Sequence, residues 1–508
     1  MHKIIKKEIF RSMFKTKISK VLGVVLTAAM VLSMFAVATP VAAANQAWSK
    51  ISLPGSGATG GYVVSDTDMR FYDVGILEWN ADKTAVYATA VYEDANTTAV
   101  RVFKSTDAGR TWKMVFTNWD ATLVDNILDG DYIFDVCASS VNANEVYFTD
   151  GSEIYTTKDG GVTWNKLSNL VTYATSNFVT AIPDGDIVTL DVGYAGANKY
   201  VFAGTATFGG VGINGVYMCQ ETAFGMPWTD LDVIGQRDDA WDSCNVWDVV
   251  VDPTDFATKQ GIIAVAEDTT VGSEATYITA KYFGNQWNQP ATCKDAEVMQ
   301  GNDTSISGVY HAELWLPSDF SSSLTSGKFQ AWLALATFGN QGDVYLWYGN
   351  STKTIDLNVS GLDTETEVSD IDGAGGVGTA KLIIGGYLNS IAYGPNTWYS
   401  ADGLTFTKTS KAPTGDDSWY DEDVTVLALA DFATSGKALA GTGGWDCGVS
   451  YTADFGKTWN TISMMRQAIN EVANIAGNLF VVTYDYVEQS VWRLSGGVYE
   501  RVFSTSMV

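Results

Sequence analysis

Three stretches of this chain, Ser105–Trp112, Thr157–Trp164 and Thr452–Trp459, share one eight-residue pattern: Ser/Thr-x-Asp-x-Gly-x-Thr-Trp. A chain with such internal periods is built from repeated supersecondary units, so the repeat constrains the fold more than any other feature. A shortened copy, Ser400–Phe406, lies 52 residues before the last full one, the spacing that also separates the first two. Eroded copies keep Gly225 with Trp228 and Gly284 with Trp287. Alternating runs flank the units, Glu153-Ile154-Tyr155 before and Trp164-Asn165-Lys166-Leu167 after, and this reads as a hairpin turn. The residue types suit folding roles. Asp107, Asp159, Asp402 and Asp454 can accept backbone N–H groups within the turn, while Gly109, Gly161 and Gly456 can adopt positive φ. Trp112, Trp164 and Trp459 can fill the apolar space beneath.

A second landmark precedes each turn, where an apolar strand carries one acid in a constant setting: Tyr72-Asp73-Val74, Phe134-Asp135-Val136, Leu190-Asp191-Val192 and Trp247-Asp248-Val249. Weaker copies contain His311, Asp370 and Asn474, and the run Val424 to Leu429 fills the remaining place without an acid. Eight units result, about 58 residues apart, each read as four short strands. This predicts an all-β chain, a β-propeller of seven or eight four-stranded blades, because radial stacking protects sheet edges. The sequence leans towards eight, although Trp48–Ile51 could also return to the last blade as a closing strand.

Residues 1–44 read as a secretory signal: seven Lys and Arg, the apolar run Val21 to Val37, then Ala42-Ala43-Ala44. Residues 45–508 are then the propeller. Removing the signal's seven bases and one acid leaves 24 Lys and Arg against 57 Asp and Glu, which argues against a nucleic-acid binder. No later apolar run is long enough to span a membrane. Aromatic residues at 12% and hydrophobic residues at 46% exclude an acidic disordered chain. Five irregularly spaced cysteines read mostly as small buried residues, and after cleavage the one histidine is His311.

The turn units resemble Asp-box (BNR) repeats, found in sialidases, sortilin-type propellers, xyloglucanases and photosystem II assembly-factor-like propellers. The last group also resembles the chain in its apolar-Asp-Val strands. The resemblance covers most of residues 48–504 and implies a fold more than an activity, since such boxes sit at the periphery of the ring. A sialidase would need an arginine triad, for which Arg70, Arg101, Arg237 and Arg466 are the candidates. Another glycoside hydrolase would need only two suitably placed carboxylates.

Asp73, Asp135, Asp191, Asp248, His311 and Asp370 admit two readings. Pointing into a central channel, they would form an acidic ring for a basic ligand or a cation such as calcium. Pointing between blades, they would satisfy backbone donors. The expectation is an exported, non-catalytic propeller at the cell surface or in the envelope, resembling surface-layer proteins in composition, with a protein or glycan partner or its own copies. The alternatives are a secreted glycoside hydrolase and an assembly factor for an envelope complex.

Overall fold

The computed structural model describes residues 64–506, apart from 168–184, 234–242, 415–423 and shorter breaks. Residues 1–44, read above as a secretory signal, together with Trp48–Ile51 and Cys293, lie outside the described residues. The protein is a β-propeller. Among the described residues, eight four-stranded antiparallel sheets follow one another, each with its strands in chain order. Their first strands are Arg70–Trp79, Asp135–Ala138, Asp186–Ala195, Cys244–Val251, Val309–Trp315, Thr366–Ala374, Val424–Ala428 and Ala468–Ile475.

Both blade counts left open by the sequence are visible: there are eight sheets, and seven of them close the ring. Successive first strands pack together from the first blade to the seventh, and Val424–Ala428 then packs against Arg70–Trp79. That closure has its own core, in which Val74, Leu77, Phe103 and Trp112 meet Leu427, Leu439 and Val449. The Trp of a turn unit bonds to the blade before its own: Trp164 Nε1 donates to Val115 O at 3.0 Å, and Trp459 Nε1 to Thr397 Oγ1 at 2.7 Å. Trp112 of the first blade follows the same rule by donating to Ser463 Oγ of the seventh at 3.0 Å.

Blade-to-blade spacing is set partly by glycine. A Cβ on Gly385 would lie 1.9 Å from Val424 O of the next blade, and one on Gly441 would lie 2.8 Å from Val74 O across the closure. No side chain fits there. Before the first blade, Val64–Ser65 pairs in parallel with Met465–Arg466, just beyond the seventh. The eighth sheet meets the seventh blade through its last strand, Val498–Ser506. It has a small core of Met465, Val481, Trp492 and Tyr499, and it leaves Ile475, Val502 and Phe503 exposed.

The full turn units share one hydrogen-bond pattern. In the first, Asp107 Oδ1 accepts from Thr111 N at 2.8 Å and Ser105 Oγ at 2.8 Å, Asp107 Oδ2 accepts from Thr111 Oγ1 at 2.6 Å, and Gly109 takes φ 80°. Asp159 and Asp454 repeat these bonds, and Asp402 of the shortened unit accepts from Leu404 N and Thr405 N. Asp107→Ala strands three donors at once. It is expected to destabilise the fold by roughly 1–3 kcal/mol, read as a lowered denaturation midpoint with an unchanged far-ultraviolet spectrum. Cys137, Cys219, Cys244 and Cys447 are buried free thiols, as their role as small core residues requires.

Candidate functional site

The first strands of the blades surround a cavity of about 830 Å³ on the ring axis. Backbone register sorts the residues facing it into levels. A β-bulge interrupts most first strands, and the residue just after it is Asp73, Thr189, Asp248, His311 or Asp370. Thr189, Asp370 and Thr425 stand opposite Gly204, Gly385 and Gly441, which identifies them as one level. Asp135 belongs with them, because it accepts from Leu190 N, as Asp370 accepts from Val426 N, each one residue past the level in the next blade. Residues two further along share the same strand face. This second level holds Asp191, Glu313 and Asp372.

Two assignments from the sequence therefore change. Asp191, matched to the others by its Leu-Asp-Val setting, stands one level deeper, and Thr189 takes its place. In the eighth sheet the residue after the bulge is Glu471, not Asn474. Asp135, Asp248, His311 and Asp370 line the cavity, whereas the Asp73 side chain lies outside the described residues.

The two readings of the acids are combined in single side chains. Asp135 Oδ2 accepts from Leu190 N at 2.5 Å, Asp191 Oδ2 from Val251 N at 2.7 Å, and Asp248 Oδ2 from Leu314 N at 2.7 Å. Asp370 Oδ2 accepts from Val426 N at 2.6 Å, and Asp372 Oδ2 from Ala428 N at 2.7 Å. Each carboxyl thus ties its blade to the next while bordering or lying near the channel. Burial lifts Asp135 to about 7 and Asp191 and Asp372 to about 6, against the downward pull of these same N–H groups. Asp248 and Asp370 are raised as well, by burial first and by a neighbouring carboxylate, Asp135 for one and Asp372 for the other.

Glu78 and Glu313 differ from these acids. Neither has a hydrogen bond or ion pair among the described residues, and both line the cavity. Burial holds both well above the usual carboxylate range, with Asp372 the next cause for Glu78 and Asp248 for Glu313. Sequence reasoning missed them. Glu313 and Asp372 were within reach by stepping two residues past the landmark, but Glu78 is displaced by a second register shift between Val74 and Leu77.

At the end where the first strands begin, aromatic rings frame the cavity. Phe134 stacks on Phe208 at 5.7 Å, Phe208 meets Trp247 at 5.3 Å, and Tyr310 meets Phe338 at 4.9 Å. Phe208 and Phe338 are 45% and 62% exposed. At the opposite end stand Trp79, Trp315 and Lys83, the one Lys or Arg among the described lining residues. Of the four arginines considered for a sialidase clamp, Arg101 is buried and is not part of the cavity lining, and the side chains of Arg70, Arg237 and Arg466 lie outside the described residues. Among the described residues, no three Asp, Glu, His or Cys side chains converge to hold a metal ion.

No family model and no curated protein matches the chain. Among solved structures it is similar to YCF48 bound to a D1 peptide (11% identity, 83% of this chain and 96% of that one, TM-score 0.32). It is also similar to the BP39L lectin from Burkholderia pseudomallei (11%, 78% and 98%, TM-score 0.43). A third is an α-L-arabinanase from Penicillium chrysogenum complexed with arabinobiose (10%, 68% and 98%, TM-score 0.39). Likeness at this level transfers no ligand and no residue role, and the fold rests on the sheets described above.

Proposed function

We propose that this protein is an exported, non-catalytic propeller of Asp-box-like units that serves as a binding or scaffold module at the cell surface, engaging its partner at the aromatic end of the axial channel. The observation that carries this reading is the division of labour among the channel acids. Five aspartates are committed to backbone N–H groups of neighbouring blades, which leaves them structural and leaves an open, aromatic-framed cavity for a ligand. No helix among the described residues is long and apolar enough to cross a membrane. Quantitative peptide mass spectrometry of washed envelopes beside culture medium tests the reading. The protein is expected among the abundant envelope species; recovery almost wholly from the medium would overturn surface attachment.

One observation favours a second reading. Glu78 and Glu313 line the same cavity without hydrogen-bond partners among the described residues, and glycoside hydrolysis needs two carboxyls in one cleft. Screening a panel of polysaccharides for reducing-end release decides between the two. The binding reading expects no turnover; hydrolysis abolished by Glu313→Gln would replace it with the hydrolase.

A further inference from the structure

We propose that the channel receives a lysine- or arginine-bearing segment of a partner polypeptide, the aromatic mouth holding its aliphatic stem and cation and the throat acids Glu78 and Glu313 neutralising its charge. This rests on the reading of the channel as the binding site.

Three independent features agree on a cation. The first is charge: six described carboxyls line the cavity against the single cation Lys83. Five of the structural aspartates, counting Asp191 nearby, already spend acceptor capacity on backbone donors, while Glu78 and Glu313 keep theirs whole. The second is the rim. Phe208, in the cavity lining, and Phe338, packed on the lining Tyr310, leave large apolar surface in water, and ring faces at this rim attract a cation electrostatically while covering a methylene stem. The third is the far end, where Lys83 acts on Glu78 and Asp372 electrostatically without a salt bridge. The chain's own ammonium thus shows the chemistry these acids accept. Burial favours the protonated form of Glu78 and Glu313, and an incoming ammonium or guanidinium lets them ionise and pair with it, whereas a neutral glycan would use the rings and leave them protonated.

The test is calorimetric titration of the mature chain with blocked tetralysine, and with cellohexaose as the neutral probe, at low salt. Tetralysine is expected to bind and to perturb tryptophan fluorescence, with affinity falling as salt rises. Glu78→Gln/Glu313→Gln should weaken it at least tenfold, and Phe208→Ser/Phe338→Ser should also weaken it. The pair Asp431→Asn/Glu500→Gln removes two exposed charges elsewhere and should leave it unchanged. Each variant is checked for an unaltered far-ultraviolet spectrum and a cooperative melt. Equal weakening by the channel pair and the surface pair would overturn the proposal as unspecific charge attraction. Cellohexaose binding without tetralysine binding would overturn the cationic ligand but keep the channel as the site. Binding of neither probe would overturn both.

Discussion

Gly385→Ala is expected to break the seam between the sixth and seventh blades. The new Cβ would meet Val424 O at 1.9 Å and Val424 C at 2.8 Å, both backbone atoms of a strand fixed on its other side by its own sheet. A side-chain obstacle can rotate away, but this one cannot. Overpacking of a tight site costs about 1–3 kcal/mol and occasionally more, and a backbone clash belongs at the upper end. With an unfolding entropy of ~2.1 cal/mol/K per residue, a cooperative unit of about 400 residues loses roughly 4 °C of melting temperature for each 3 kcal/mol. Gly441→Ala, at 2.8 Å from Val74 O, applies the same wedge to the ring closure, with a smaller loss expected. Gly215→Ala is the control, since its Cβ would find nothing nearer than 3.8 Å. Scanning calorimetry on the three variants checks the order. A Gly385→Ala midpoint equal to that of Gly215→Ala would mean that the blades do not meet as closely as described.

The same glycines explain what the sequence could and could not tell. The turn units were legible because Ser/Thr, Asp, Gly and Trp each have a local task, and local tasks leave a fixed spacing: Asp107, Asp159 and Asp454 make matching bonds. Four-stranded units followed from their period. Ring closure was not legible, because it depends on which sheet finds the first blade. Leu427, Leu439 and Val449 of the seventh sheet do so, while the eighth, equally four-stranded, does not enter the ring. The channel was half legible. Apolar-Asp-Val settings mark a strand that approaches the axis, but a bulge inserts a residue without any compositional signature. Hence Asp191 matched in sequence and missed in register, and Glu78 was hidden behind two shifts in one strand.

Thermal stability is expected to peak in mild acid and to fall as the pH rises from about 4 to 7, the reverse of what a chain held by carboxylate ion pairs would do. A carboxyl whose folded value lies above its unfolded one keeps a proton in the native state that the unfolded chain gives up, so stability falls with pH between the two values. Asp191 and Asp372 rise from 3.8 to about 6, and Asp135 to about 7, with burial the leading cause in each. Their contribution is complete below about pH 4 and gone above about pH 7. Each of the first two carries on the order of 3 kcal/mol, so the pair alone moves the melting temperature by several degrees. In the opposite direction, the hydroxyl of Thr163 and its backbone N–H hold Asp159 down at about 2, and the hydrogen bonds of Asp402 and Asp454 lower those carboxyls too. Those contributions are present above about pH 4 and are lost only in stronger acid, which sets the lower edge of the optimum. General repulsion in a chain of net charge −27 also weakens the fold at high pH, but salt screens it, whereas salt acts less on these half-buried channel groups. Melting curves from pH 4 to 9 at low and high salt separate the two. A decline that survives high salt and flattens in Asp191→Asn/Asp372→Asn assigns it to the channel; a decline abolished by salt would return it to the surface charge.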